Sequence, residues 1–338
     1  MKSPFPYFGG KRRVADIVWE RLGDVKNYVE PFAGSLAVLL ERPGGAGKVE
    51  TVNDRDGLLC NFWRAMRYAP DEVAEHADWP VNECDLHARH IWLVNNREDI
   101  TTRLMGDPDW YDAKAAGWWV WGACAWIGKG WCSGQGPWQS VDGEFVKVKG
   151  GEGVSRQVPH LFRPQGINRQ LPHLVDAGQG INRVQDSTPD VMERGVSVHL
   201  LPVAERIKNV RVACGDWQRV VSKSVTTRLG LTGLFLDPPY HEGNFQYGDG
   251  GDQSGVFHQV RDWVLERGDD PKMRIALCGY ADDDDNDPLV DAGWDRVAWK
   301  ARGGYGSQSN GRARKNSRRE RIWFSPHCLA PGRQELIA

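Results

Sequence analysis

The sequence has no apolar run approaching the roughly 20 residues that a membrane-crossing helix needs, and Met1 to Lys11 has no long apolar stretch of signal-peptide type. These absences point to a chain that stays in the cytoplasm where it is made. It also lacks any Cys-x-x-Cys pair. Seven cysteines stand singly, at 60, 84, 124, 132, 214, 278 and 328, which argues against a disulfide framework and a thiolate zinc site. Cys84, His87 and His90 fall near one side of a helix but lack a partner pair, so no metal is expected. Finally, the chain has little net charge, −2 over 338 residues. A small total excludes no partner, because a nucleic-acid surface needs local basicity.

What is there is unevenly distributed. Asp282 to Asp285 with Asp287 form an acidic run, whereas Lys300 to Arg321 holds eight basic residues against one acid, Glu320. Within that stretch Arg312, Arg314 and Lys315 are candidate phosphate contacts.

Apolar residues at helical spacing predict a helix over 12–22, followed by a short strand at Asn27 to Val29 that ends in Glu30-Pro31-Phe32-Ala33-Gly34. A helix at Leu36 to Leu40 follows. Lys48 to Val52 reads as a second strand ending in Asn53-Asp54, and Leu58, Leu59, Phe62 and Met66 lie on one face of the next helix. Strand, glycine turn, helix, strand, acid is the opening of a doubly wound α/β nucleotide-binding fold. From about 61 to 200 the text changes to tryptophan-rich helical stretches, then a glycine-rich segment at 128–153, then a Pro/Gly/Gln-rich one. Strand signals resume at Val210 to Cys214, Gly233 to Leu236, Arg274 to Cys278 and Arg321 to Phe324, with a helix at Val256 to Glu266. The expected organisation is one domain from residues 1–60 and 201–338 around an inserted, mainly helical domain at 61–200.

The strongest motif is Asp237-Pro238-Pro239-Tyr240 at the end of an apolar strand. An adenine amino nitrogen has its lone pair delocalised into the ring, so attack on a sulfonium methyl requires its hydrogens to be held while the nitrogen pyramidalises. Asp237 can accept one hydrogen and the Pro238 carbonyl the other, stabilising the positive charge that develops. Pro238 and Pro239 fix this backbone. Tyr240 can stack on a base that has left the duplex. Upstream, Gly34 in Glu30-Pro31-Phe32-Ala33-Gly34 lets the backbone approach a ligand at the end of the first strand. Asp54, about 20 residues on, stands where a carboxylate binds ribose hydroxyls, and Asp216 in Cys214-Gly215-Asp216-Trp217 ends a third strand that would border the adenine of the same cofactor. Trp118, Trp119 and Trp121 read as core. Lys129 and Trp131, in the glycine-rich loop, are candidates for contacting DNA.

With these residues the sequence resembles the D12 (Dam-like) DNA adenine N6-methyltransferases, in which the cofactor motif comes first, the recognition domain second and the DPPY motif third. The resemblance runs through Pro6-Tyr7-Phe8-Gly9-Gly10-Lys11, Glu30 to Leu36, Asn53-Asp54, Gly215-Asp216-Trp217, Asp237 to Tyr240, and Arg321 to Pro326. It implies a Rossmann-like sheet that binds S-adenosylmethionine and an insertion that binds DNA. The opening segment would fold over the cofactor, making Tyr7, Phe8, Gly9 and Lys11 contacts beside Glu30, Pro31, Phe32, Gly34, Asp54 and Asp216.

Two departures stand out. Relatives with GATC specificity read bases with an asparagine and an arginine of a hairpin, and the similar segment here, Trp126 to Ser133, holds neither; Lys129, Trp131 and Ser133 stand in it. A lysine usually stands where Pro6 does. The implied reaction is methylation of a flipped adenine in DNA by a monomer or weak dimer. An N4-cytosine methylase, which tends to have serine in place of Asp237, and a DNA-binding regulator without turnover are the alternatives.

Overall fold

A computed structural model describes residues 1–7, 11–126, 131–132, 138–141, 144–147, 196–239, 255–280, 287–299 and 319–331. The chain divides into two compact units. One comprises Met1–Phe8, Arg55–Lys208 and Gln246–Gly251, the other Gly9–Asp54, Asn209–Phe245 and Asp252–Ala338.

The second of these is built on a seven-stranded sheet. In chain order its elements are α1 (Ala15–Leu22), β1 (Asn27–Glu30), α2 (Ala37–Leu40), β2 (Val49–Asp54), β5 (Arg211–Cys214), β6 (Thr232–Leu236), a helix at Val256–Arg267, β7 (Met273–Tyr280), a short helix at Pro288–Asp291, β8 (Asp295–Ala298) and β9 (Glu320–Phe324). The strands lie in the order β5-β2-β1-β6-β7-β9-β8. β1, β2, β5, β6 and β7 pair in parallel, whereas β9 runs antiparallel to both β7 and β8. This is a mixed α/β, Rossmann-like methyltransferase sheet. Every residue of β1 and β6 is buried, the signature of parallel strands covered on both faces. One core layer gathers Val29, Leu234, Leu236, Ile275 and Leu277 with Trp217, Val260, Val264 and Trp294. α1 stops where Gly23, at φ 64°, donates its N–H to the Trp19 carbonyl at 2.8 Å, a left-handed cap that suits glycine.

The other unit is mainly helical: α3 (Gly57–Tyr68), α4 (Pro70–Ala77), α5 (Glu83–Gly106), α6 (Ala113–Ala125) and a helix at Ser197–Ile207, with a two-stranded antiparallel ribbon of β3 (Trp138–Val141) and β4 (Glu144–Lys147). Short polar side chains start the helices. Asp56 accepts the Leu58 N–H, Asn82 those of Cys84 and Asp85, and Asp112 that of Ala115, each satisfying an otherwise open backbone donor. Trp119 and Trp121 are buried as core, while Trp118 is half-buried. The indoles of Trp79, Trp118 and Trp121 surround the Arg89 guanidinium, which is 4.2 Å from the Trp121 ring centroid. Gly117 brings α6 onto α4 so closely that a Cβ there would lie 2.7 Å from the Val73 carbonyl.

Among the described residues no helix is long and apolar enough to cross a membrane, and no group of three or more His, Cys, Asp or Glu side chains could hold a metal ion. The Cys84, His87 and His90 positions diverge on α5: Cys84 is exposed, His87 pairs with Glu83 at 3.6 Å, and His90 is buried against Trp126.

Candidate active site at the carboxyl ends of the strands

The chain leaves β1 towards β2 and β5 on one side, while β6 and β7 occupy the other. The boundary between β1 and β6 is therefore the switch point, and ligands of open α/β sheets bind outside the carboxyl ends of the strands there. Four acids emerge at those ends: Glu30 on β1, Asp54 on β2, Asp216 beyond β5 and Asp237 beyond β6.

Asp54 is held by the glycine turn. Gly34, at φ 47°, donates its N–H to Asp54 Oδ2 at 3.0 Å. Leu36, at φ 55°, is one of two non-glycine residues at positive φ among the described residues, so the turn between β1 and α2 carries backbone strain of the kind found at ligand sites. Asn53 sews the neighbouring loops together. Its amide donates to the carbonyls of Pro31 and Gly215, both at 3.0 Å, while Ala33 N–H reaches the Asn53 carbonyl and Gly215 N–H the Asp54 carbonyl. Phe32 and Trp217 stack at 6.2 Å on the turns after β1 and β5. Asp216 is exposed and caps the turn at Trp217–Val220 through the Gln218 N–H. Glu30 is different: it is 2% exposed, and its Oε1 accepts the Tyr28 hydroxyl at 2.6 Å and the Leu39 N–H at 3.0 Å. That carboxylate anchors β1 to α2 and, with burial as the larger cause, holds the Tyr28 phenol well above its ordinary range.

Asp237 stands one residue beyond β6, followed by the buried Pro238 and Pro239. Lys11 Nζ lies 3.0 Å from its Oδ1; the lysine is 4% exposed and the aspartate 20%. Burial opposes the Lys11 charge, but Asp237, with smaller help from Cys278 and Glu320, outweighs it and holds the ammonium above its ordinary pKa. Lys11 Nζ also stands 5.7 Å from the centroid of the Trp299 ring. Sequence reasoning missed the third charged group here, Glu320 at the start of β9. Its position in a basic stretch hid it, and only the pairing of β9 with β7 brings it to this site.

A glycine turn, the Asp54 carboxylate it holds and an acid on a proline-stiffened strand end thus share the carboxyl end of one sheet, with Lys11 beside Asp237. A D12 class N6 adenine-specific DNA methyltransferase domain is found at residues 7–85. No curated protein matches the chain. The D12 match spans Lys11, the turn after β1, Asp54 and the first helices of the other unit; Asp216 and Asp237 lie beyond it.

The remaining sequence candidates fall elsewhere. Tyr7 belongs to the helical unit, where its ring meets that of Phe5 edge-on at 6.0 Å. Trp131 also lies in that unit, half-buried. Its Nε1 donates to the Trp119 carbonyl at 3.0 Å, and its ring packs against His90 and Trp126. Phe8, Gly9, Lys129, Ser133, Tyr240, Arg312, Arg314 and Lys315 lie outside the described residues.

Proposed function

We propose that the sheet unit transfers a methyl group from S-adenosylmethionine to N6 of an adenine flipped out of DNA, and that the inserted helical unit recognises the DNA. In this reading residues 1–60 and 201–338 supply the catalytic domain and 61–200 the recognition domain. The observation that carries it is Asp237. The carboxylate is one-fifth exposed at the carboxyl end of β6, and two prolines restrict the backbone behind it.

The donor set fits the cofactor. Asp54, aimed by Gly34, suits a ribose diol; Phe32 and Trp217 offer apolar surface; and the excess of carboxylates suits a cation. When bound, S-adenosylmethionine supplies an electrophilic methyl on a sulfonium. The protein's part is orientation and charge. Asp237 accepts one amino hydrogen and the Pro238 carbonyl the other, which draws the nitrogen lone pair out of conjugation and stabilises the positive charge as the bond forms. The Lys11 ammonium, 3.0 Å from Asp237 Oδ1, holds that carboxylate in place. The enclosing turns position the reacting atoms and exclude water.

The test incubates the protein with duplex DNA and labelled S-adenosylmethionine, then identifies the modified nucleoside by mass spectrometry. N6-methyl-2′-deoxyadenosine from the wild type, and a loss of at least about a hundredfold in Asp237→Ala with cofactor binding retained, are expected. N4-methylcytosine would overturn the substrate assignment, and undiminished transfer by the variant would overturn the role of Asp237.

A further inference from the structure

A cavity of about 300 Å³ opens on the sheet unit, and neither Asp54 nor Asp237 lines it. It lies between the segment leading from β5 to β6 and the last turn of the helix at Val256–Arg267, and Met273, the first residue of β7, forms part of its wall. Met273 pairs with Thr232 at the amino end of β6, so about 16 Å of extended chain separates that level of the sheet from Asp237. The volume is at the lower end of the range of small-molecule clefts, roughly 300–1,000 Å³. The connecting segment is a preformed wall. The Ser222 carbonyl accepts the N–H groups of Val225 and Thr226, both at 3.0 Å, and the Thr226 hydroxyl at 2.8 Å, while the Arg228 N–H closes on the Lys223 carbonyl at 3.0 Å. Asn27 of β1 donates its side-chain amide to the Val225 carbonyl at 2.8 Å, fastening the bend to the sheet.

This bend presents Lys223 to the cavity, and the lysine side chain makes no ion pair or hydrogen bond among the described residues. Arg267, from the helix end, lines the same space and pairs with Glu266 at 3.2 Å. One acid faces them, Asp270, whose Oδ1 accepts the Lys272 N–H at 2.9 Å. The apolar part of the wall is Trp263, half-buried and set at 85° to Trp217 with the ring centroids 5.9 Å apart, together with the buried Val221 and Met273.

We propose that this cavity binds a nucleoside monophosphate, with the base resting on Trp263 and the phosphate on Lys223 and Arg267. An unpaired ammonium beside a guanidinium selects an anion, because both groups only donate. The indole, Val221 and Met273 select a flat, partly apolar body over a bare phosphate, and Gln218, Thr227 and the second oxygen of Asp270 suit the hydroxyls of a sugar. The inference is independent of the methyl-transfer reading, since the cavity wall contains none of the residues assigned to cofactor or adenine.

The test is calorimetric titration of the full chain with adenosine monophosphate, ribose 5-phosphate and inorganic phosphate, with and without saturating S-adenosylmethionine. Saturable binding of adenosine monophosphate that persists with S-adenosylmethionine present is expected. Ribose 5-phosphate and phosphate should bind at least about tenfold more weakly, for want of a stacked base. Lys223 is exposed, so Lys223→Glu keeps the fold, as circular dichroism checks, and weakens adenosine monophosphate by at least about tenfold. No saturable binding by the wild type, or wild-type affinity in Lys223→Glu, overturns the site. Phosphate binding as tightly as the nucleotide overturns the base-stacking half of the assignment, and displacement by S-adenosylmethionine places the nucleotide elsewhere and overturns the whole. A protein that methylates nothing leaves each of these readouts in force.

Discussion

At the scale of single residues, the informative side chains are polar groups forced to choose a partner. His90 is 4% exposed, stacks on Trp126 at 5.0 Å and accepts the Cys132 N–H at Nδ1. Burial, with smaller contributions from His87 and Arg97, depresses its pKa to about 4. A neutral ring in the folded protein meets an unfolded state that protonates near the ordinary value of about 6.5. Between those two values the unfolded chain binds more protons, so stability falls as pH drops from 6.5 to 4 and is unaffected by this group above that window. Chemical denaturation at several pH values should show this slope, and His90→Gln should flatten it. The same lesson applies to Glu30: its acidity at the end of a strand was legible, but its commitment to Tyr28 and Leu39 depends on how α2 returns, which no local pattern encodes.

At the scale of elements, the strands and helices with strong periodicity read directly from the sequence. β6 and β7 carry apolar runs, and α3 carries Leu58, Leu59, Phe62 and Met66 on a buried face. What did not read out were elements whose pattern is weak. β8 is Asp295–Ala298, mostly exposed at the edge of the sheet, so it has no apolar alternation to betray it. The β3–β4 ribbon sits in glycine-rich text that reads as loop. Helix contacts are equally silent in sequence. Gly117 looks like a weak point inside α6, where glycine costs about 1 kcal/mol relative to alanine; packed on α4 it is required. A Gly117→Ala methyl would meet the Val73 carbonyl and His76, and overpacking of this kind costs about 1–3 kcal/mol despite the gain in helix propensity. Thermal unfolding should place the variant below the wild type; an equal or higher midpoint would show that the two helices separate freely.

At the scale of the whole molecule, a tryptophan-rich, glycine-rich stretch interrupts regular βα alternation in the sequence from about residue 61, and the compact helical unit of the structure takes in Arg55–Lys208 with two short pieces from elsewhere in the chain. The adjacency of Lys11 and Asp237 was not visible, since it joins two segments far apart in the chain. Among the described residues the strand order makes β9 a keystone: it alone joins β8 to the sheet and covers the outer edge of β7. A chain ending at residue 318 therefore leaves β7 with an open edge and strips β8 of its partner, and exposed edges of this kind promote association between molecules. Size-exclusion chromatography and denaturation of that truncation should show aggregation and loss of a single cooperative transition; a monomer with unchanged unfolding would mean that β9 is dispensable.

The pairing of β1 with β6 joins Asn27 to Thr232, and this has a consequence for synthesis. At ribosomal speeds of about 5–20 residues per second, roughly 10–40 s separate the emergence of the two strands. During that interval β1, buried on both faces in the finished sheet, has only β2 beside it. Arg55–Lys208, the long central piece of the helical unit, emerges within the same interval. A cell producing this protein thus handles a folded middle attached to an unfinished sheet, and the exposed strand Asn27–Glu30 is where a chaperone would be needed first.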